Sequence, residues 1–448
     1  MGSSLAELQA NHGGAVTSGG EQPGATMLVA TGIECSYPTV QNGQRRDELQ
    51  GAQHYKRWRE DFDLCRSIGA TYVRYGLPYY RMHLGPGRYD WNFADEVLPA
   101  FWDLGLIPIV DLCHFGVPDW VGGFQNRDWP AHFAEYSAAF ADRYPWIKFY
   151  TPVNEMLVCA RFSGLYGLWN EQKSTDRDMV AAHKTQCRAS LLAMAEILKR
   201  RSDAVFIQSE IAEAYLERWP QTRADVQFRN RLRFITFDFL YGVPPHADVL
   251  NYLYDNGLTR EEYDWFMAHG SKVAPHCVLG MDYYSDNERT VQRDGSIGAE
   301  GAMLGWSAIA LDYYHRYYRP MMLTETNTIE LGGDETTAWL LRTWHQAQHL
   351  RHHGVPMIGY TWYSLTDQID WDIQLREIRG KVTANGLFTI DRQARRAAEV
   401  FRQLAHSYAG SPLLENIPGG LPGSGLRVAC GHPPEAGMDG RARRGRAD

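Results

Sequence analysis

The chain has 448 residues, a hydrophobic fraction of 44%, a charged fraction of 22% and a formal net charge of −8. This composition is typical of a soluble globular protein, and the length suits one large α/β barrel or two to three smaller domains. Because the net charge is negative, we expect neither nucleic acid nor a membrane surface as a partner. No apolar run approaches the roughly 20 residues that are needed to span a bilayer.

The two ends of the sequence have compositions that cannot build a core. Residues 1–26 are rich in Gly, Ser, Ala and Gln, which predicts a flexible N-terminal arm, and residues 410–448 predict a disordered tail. The start lacks a basic segment followed by an apolar one, so we expect no signal peptide and a cytoplasmic location. The seven cysteines form no CxxC pair, which fits reduced thiols. A single domain over residues 27–409 remains.

Within that domain, short apolar or β-branched runs alternate with longer amphipathic segments. The predicted strands are residues 27–34, 71–76, 107–114, 147–155, 204–210, 277–284, 321–325 and 357–364. Near-continuous apolar strands separated by helices are typical of a parallel sheet covered by helices, and eight such repeats predict a (β/α)8 TIM barrel. A doubly wound sheet is the alternative. It ordinarily carries a Gly-rich turn after the first strand, and GIECSYP is not such a turn.

Nearly every predicted strand ends in a polar, aromatic or charged cluster, where barrel enzymes carry their catalytic groups. These clusters contain Glu34, Arg74, Asp111 with His114, Asn154 with Glu155, Glu210, Asp282 with Tyr283 and Tyr284, Glu325, and Tyr363 with Ser364. Ionised groups at a barrel rim cost desolvation unless they are paired, so the accumulation indicates a site. Glycoside cleavage requires two carboxyls, one that donates a proton and one that stays ionised. The residues therefore supply the parts of a glycosidase site.

Five segments resemble motifs of glycoside hydrolase family 1, the β-glucosidase and β-galactosidase family. They are LCHFGVPDW, YTPVNEM, LGMDYYS, LTETN and GYTWYSLTDQIDW. They occur in the family's order, at the strand ends expected for the wider clan of 4/7 barrels. The sequence is identified as a divergent relative, because Met156 stands in place of the family's proline, Asp282 in place of an asparagine and Asp370 in place of a glutamate.

The resemblance implies a retaining β-glycosidase that hydrolyses a small β-glycoside or oligosaccharide by double displacement. Glu155 would be the general acid/base and Glu325 the nucleophile, with Arg74 and Tyr283 contacting the nucleophile and keeping it ionised. Asn154 would bind the sugar 2-hydroxyl. The other residues implied to bind or support the sugar are Glu34, His114, Trp362, Tyr363, Asp370 and Trp371. Of these, Asp370 and Trp371 would contact its outer hydroxyls, and Trp362 or Tyr363 would form a stacking floor.

Several alternatives share these residues. A transglycosidase would use a sugar or an alcohol as acceptor in place of water, and an inactive sugar-binding barrel would keep only the cleft. Glu210 also ends a strand and is the competitor for a catalytic role. No set of His and carboxylates has the spacing of metal ligands, so we expect neither a metal nor a cofactor. A metal-dependent hydrolase on the same barrel is therefore the least favoured alternative.

Overall fold

The computed structural model describes residues 27–299, 301, 303–328 and 334–407. The predicted N-terminal arm and C-terminal tail lie outside the described residues. None of the helices in these ranges is long and apolar enough to cross a membrane.

Eight parallel strands close into a barrel, which confirms the predicted (β/α)8 fold. Their neighbours around the barrel follow the order β1-β8-β7-β6-β5-β4-β3-β2. Each strand coincides with a predicted apolar run. The strands are β1 Leu28–Ile33, β2 Tyr72–Gly76, β3 Ile107–Asp111, β4 Phe149–Thr151, β5 Val205–Ile211, β6 Cys277–Asp282, β7 Met321–Glu325 and β8 Met357–Tyr363.

One helix after each strand packs on the outside of the barrel, and all of these except the six-residue α2 are long. These helices are α1 His54–Ser67, α2 Pro99–Leu104, α3 Trp129–Arg143, α4 Asp176–Arg200, α5 Arg260–Val273, α6 Trp306–Tyr317, α7 Asp334–His352 and α8 Arg396–Ser407. Shorter helices in the connections are Glu48–Gly51, Tyr79–Met82, Asn92–Val97, Met156–Ala160, Arg161–Leu165, Arg223–Leu232, Ile235–Tyr241 and Ala247–Asp255. Short strands outside the barrel are His83–Gly85, Arg88–Tyr89, Ala214–Leu216, Glu288–Val291, Ile297–Ala299, Gln368–Ile369 and Val382–Thr383.

The core has two apolar layers because side chains alternate across each strand. A small cluster fills the inside of the barrel and the larger one lies between strands and helices. The inner cluster consists of Leu28, Ala30, Tyr72, Ile109, Phe149, Val205, Ile207, Val278, Met322 and Ile358. Further along the same strands the inward-facing residues become polar. The carboxyl ends of the strands therefore carry the groups that the sequence singled out.

Strand β7 contains a register shift that changes the direction of its last side chain. Met322 belongs to the inner cluster and Leu323 to the outer one, so strict alternation would turn Glu325 outward. Leu323 instead pairs with Met281, while Glu325 pairs with the next residue, Asp282. The extra residue in β7 is of the kind that re-aims a side chain next to a site. Glu325 consequently faces the interior.

Candidate active site

A cavity of about 110 Å³ opens at the carboxyl ends of the strands. Strand ends and the segments that follow them supply its walls, as is usual for barrel enzymes. Of the residues to which the family resemblance gives a role, five line this cavity: Glu34, His114, Glu155, Glu325 and Trp371. Its aromatic lining consists of Phe115, Phe162, Tyr166, Trp169, Tyr284 and Trp371.

Three carboxyl groups meet at the base of the cavity. Glu155, Asp282 and Glu325 each offer an oxygen atom, and these atoms all lie within 4.8 Å of one another. All three side chains are buried, Asp282 completely. Three buried carboxyl groups at this distance cannot all be ionised unless positive charge or hydrogen-bond donors stabilise them. The three groups therefore share protons, and the ionised ones need neighbouring donors.

Glu325 receives two donors that stabilise its negative charge. The Arg74 guanidinium donates to Oε1, and the Tyr284 hydroxyl donates to Oε2 at 2.5 Å. The prediction that the Tyr283 side chain contacts the Glu325 carboxyl is wrong, because the Tyr283 hydroxyl donates to Glu288 at 2.7 Å and only its backbone amide reaches Glu325, at the main-chain carbonyl. Asp282 faces the interior, so the next residue along the chain turns away and the second next one turns back. Tyr284 is thus the tyrosine that holds the predicted nucleophile.

Arg74 also joins the other polar residues of the inner face into one network. Its Nη2 donates to Asp111 at 2.8 Å and to the Asn154 side-chain oxygen at 2.5 Å. His114 contacts Asp111 through Nδ1 at 2.8 Å and the Asn154 amide through Nε2 at 3.0 Å. Burial opposes protonation of His114, but Cys35 and Asp111 raise its pKa well above the usual value. The network places Asn154, predicted to bind the sugar, between Arg74 and His114.

Glu155 has surroundings unlike those of Glu325. Within the described part of the chain, no donor reaches its carboxyl. Burial, Asp282 and Glu325 raise the pKa of Glu155 well above its ordinary value. Its backbone is left-handed, with φ of 37°, a conformation uncommon for a residue other than glycine. The end of β5 holds this turn, because the Glu155 amide donates to the Ser209 carbonyl at 3.0 Å and the Leu157 amide donates to Glu210 at 2.9 Å.

Glu210, the competitor for a catalytic role, supports this turn from outside the cavity. Its carboxyl accepts the amides of Leu157 and Ile211 and the Thr236 hydroxyl, at 2.9, 3.0 and 2.7 Å. Burial raises the pKa of Glu210 to about 7, although the three donors oppose the shift. Because the group is fully occupied and completely buried, its geometry suits anchoring rather than attack.

Asp370, which was expected to contact the outer hydroxyls of the sugar, points away from the cavity. That carboxyl accepts the backbone amides of Arg379, Gly380 and Lys381 at 2.8, 2.9 and 2.7 Å, and it does not line the cavity. The prediction that Asp370 contacts outer sugar hydroxyls is therefore not supported by its position. Gln368 lines the cavity in its place and donates to Glu34 at 2.8 Å. Sequence reasoning missed Gln368, although it lies in the same quoted motif.

The two candidates for the stacking floor face opposite sides of β8. Trp362 is fully buried in the layer between barrel and helices, so it cannot reach a sugar. Tyr363 faces inward, and its ring lies parallel to that of His114 at 6.1 Å between centroids. Gly32 on β1 makes room for it, because a Cβ atom there would lie 2.0 Å from the Tyr363 ring. Tyr363 is only 1% exposed and does not line the cavity. Its ring therefore packs against His114 and Arg74 and does not form a floor for a sugar.

Two groups of side chains lie close enough together to share a cation. One is the carboxyl cluster, and the other consists of Cys35, Asp111 and His114. In both groups, Arg74 already provides the positive charge that the carboxylates need, and it contacts Glu325 and Asp111 directly. We therefore assign no metal to either group.

Comparison with known proteins bears on the family and on the fold. The model of Glycosyl hydrolase family 1 matches residues 14–232, just under half of the chain. A 1,4-beta-D-glucan glucohydrolase of Thermotoga neapolitana is 23% identical over 394 residues, covering 78% of this chain and 89% of that protein. Beta-glucosidase A of Thermotoga maritima is 30% identical over 156 residues, covering 32% and 34% of the two chains.

The solved structure of a beta-glucosidase from Thermotoga maritima in complex with N-octyl-5-deoxy-6-oxa-N-(thio)carbamoylcalystegine has the same fold. Its TM-score is 0.73 at 19% identity, over 87% of this chain and 99% of that one. Fold, strand-end cavity and relatives together define a glycoside hydrolase. Within that class, the chain resembles glycosyl hydrolase family 1 as a divergent relative, and the proteins to which it is similar are named as β-glucosidases or a glucan glucohydrolase.

Proposed function

We propose that the protein is a retaining β-glycosidase that hydrolyses terminal β-linked sugars, with Glu325 as nucleophile and Glu155 as acid/base. The observation that carries the proposal is that one carboxyl oxygen of Glu155 and one of Glu325 lie within 4.8 Å of each other. Retaining enzymes hold the two carboxyl groups about 5–5.5 Å apart, whereas inverting enzymes keep about 6.5–9.5 Å for a water molecule. The short separation favours direct attack by one of the two carboxylates.

The surroundings of the two carboxyls support the assignment of roles. Arg74 and Tyr284 donate to Glu325, which favours the ionised form that attacks the anomeric carbon. The raised pKa of Glu155 keeps it protonated near neutral pH, so that it can give its proton to the leaving oxygen. In the second step, water attacks the glycosyl-enzyme, Glu155 accepts the proton of the water, and Glu325 is released.

The cavity supports action on one terminal sugar. Its volume of about 110 Å³ is small beside the roughly 300–1,000 Å³ of sites for larger ligands. Glu34, His114 and Gln368 offer polar groups to the hydroxyls, and Trp371 offers an aromatic face. The named activities of the relatives make terminal β-glucose the first donor to test. We also propose a reducing, cytoplasmic setting, since the six cysteines of the described residues are buried free thiols.

The test is the hydrolysis of 4-nitrophenyl β-D-glucopyranoside by wild type and by Glu325→Gly, with and without azide. We expect wild-type turnover, a loss on the order of 10⁴-fold or more in the variant, and recovery with azide. Azide would fill the space of the missing carboxylate and attack opposite the leaving group, giving the α-glycosyl azide. Glu261→Gly is the matched control, because this exposed glutamate lies on the remote helix α5.

Two outcomes would contradict the proposal. If Glu325→Gly keeps the wild-type rate, the nucleophile is elsewhere. If azide gives the β-glycosyl azide, the attack does not come from the Glu325 side.

A further inference from the structure

Asp282 has no role in the two-carboxyl mechanism described above, yet it is fully buried inside the reaction centre. It is the last residue of β6 and follows Val278 and Gly280 on the inner face of the strand. The Ser209 hydroxyl lies 2.7 Å from both of its carboxyl oxygens, and the Thr324 hydroxyl lies 2.6 Å from Oδ1. Hydroxyl groups from β5 and β7 therefore hold the carboxyl in place.

The carboxyl is held against both reacting groups. One of its oxygens lies within 4.8 Å of oxygens of Glu155 and of Glu325. Asn at this position would fill the same space without a titratable group. A carboxyl at this point is thus not required by packing alone.

We propose that Asp282 is a third carboxyl of the reaction centre, a positioning residue that shares protons with Glu155 and Glu325 and so raises the proton affinity of Glu155 in both steps of the reaction. The inference deepens the proposed function, because it rests on Glu155 as the acid/base.

The charged and titratable groups around Glu155 come from all sides of the barrel. Asp282, Glu325 and Glu210 raise its pKa, in that order after burial, and His114 lowers it. Arg74 faces Asp282 and Glu325, and Tyr284 donates to Glu325. The pKa of Asp282 is itself raised, by burial and then by Glu325, while Arg74, Ser209 and Thr324 lower it. Among the carboxylates, Asp282 is thus the largest single influence on Glu155.

The charge matters most after the first step. When Glu325 forms the ester to the sugar and the bond to the leaving oxygen breaks, Glu155 has given up its proton and Glu325 has lost its charge. Asp282 then remains as the neighbouring carboxylate that increases the proton affinity of Glu155. Glu155 is for that reason a stronger base when it accepts the proton of the attacking water.

The first test compares the pH dependence of kcat/KM for wild type and Asp282→Asn. Removing the carboxyl lowers the pKa of Glu155, so the alkaline limb should move to lower pH by about one unit or more. Asp61→Asn is the matched control. This aspartate, in helix α1 on the outside of the barrel, is also buried and pairs with Arg392 at 2.8 Å, so its loss affects stability but not the position of the limb.

A second test does not depend on turnover. The titration of Glu155 is followed by NMR in protein labelled with ¹³C at the glutamate carboxyls, and its signal is identified by its loss in Glu155→Gln. Asp282→Asn should lower the midpoint of this signal. If Asp282→Asn does not fold, Thr324→Val keeps the carboxyl, removes one donor to it, and should shift the midpoint in the same direction by less.

The outcomes separate the two proposals. An unchanged midpoint in a folded Asp282→Asn protein overturns the inference, whatever the activity. Absence of turnover in wild type overturns the proposed function. A lowered midpoint supports the placement of the Asp282 charge even in that case, and a lowered midpoint together with a shifted alkaline limb supports both proposals.

Discussion

Two regions of the cavity differ in how well their residues could be transferred from related sequences. At the strand ends, Glu34, His114, Glu155 and Glu325 all line the cavity, as the motifs implied. In the loop after β8, Asp370 turns away from the cavity and holds three backbone amides. Closure of the barrel fixes strand ends through hydrogen-bonded register, whereas a loop is free to fold back on its own polar side chains. Strand pairing does not decide every case, because Trp362 within β8 faces away from the cavity whereas Trp371 in the loop lines it.

The largest effect that sharpens this comparison is expected for the two adjacent tyrosines after β6. Tyr284→Phe removes a hydrogen bond to the charged Glu325 and should lower kcat/KM by about 10- to 100-fold. Tyr283→Phe, the matched control, removes only the bond to Glu288 and should change kcat/KM by less than about threefold. Steady-state kinetics on one aryl β-glucoside measures both. Equal losses would mean that alternation along β6 does not decide which tyrosine acts.

The second prediction concerns the loop after β8. Asp370→Ala leaves three amides without their acceptor and should lower the free energy of unfolding by about 2 kcal/mol. Gln368→Ala should raise KM about tenfold with little change in stability, because its amide lies at the cavity and donates to Glu34. Urea denaturation and steady-state kinetics distinguish the two. The reverse pattern, with Asp370→Ala changing KM alone, would return Asp370 to the sugar site.

The smallest expected effect concerns Glu210, a strand-end carboxyl that also accepts backbone amides. Its pKa is raised from 4.5 to about 7, so the folded state binds the proton more tightly than the unfolded state. The corresponding stability is present below pH 4.5 and is lost as the pH rises to about 7, at no more than about 1.4 kcal/mol per pH unit. Glu210→Gln should therefore reduce the fall in stability between pH 5 and pH 7.

Urea denaturation at pH 5, 6 and 7 measures this difference. Glu335→Gln, a substitution of an exposed glutamate at the start of α7, is the control and should leave the wild-type pH dependence in place. A Glu210→Gln protein that retains the full pH dependence would show that other buried carboxyls cause it.

The sequence predicted the barrel and its eight strands because each apolar run has a definite length and is bounded by polar strand ends. It could not predict Tyr284 in place of Tyr283, since the inward face of β6 is known only once the register is known. It could not predict that Gln368 rather than Asp370 lines the cavity. A sequence motif does not show which of its polar side chains is buried against backbone amides and which faces the cavity. The sequence identified Asp282 only as a departure from the family motif. It could not show that hydroxyl groups of Ser209 and Thr324, on neighbouring strands, donate to the Asp282 carboxyl.

The register shift in β7 has a consequence for protein design. An idealised barrel would repeat strict alternation along every strand, and the motif LTETN placed in it would turn its glutamate toward the helices. A designer who transfers this site must therefore transfer the extra residue at Thr324 and its pairing with β6 as well as the residues of the motif. In this protein, the direction in which Glu325 points is encoded by an irregularity in backbone pairing rather than by the identity of the residue.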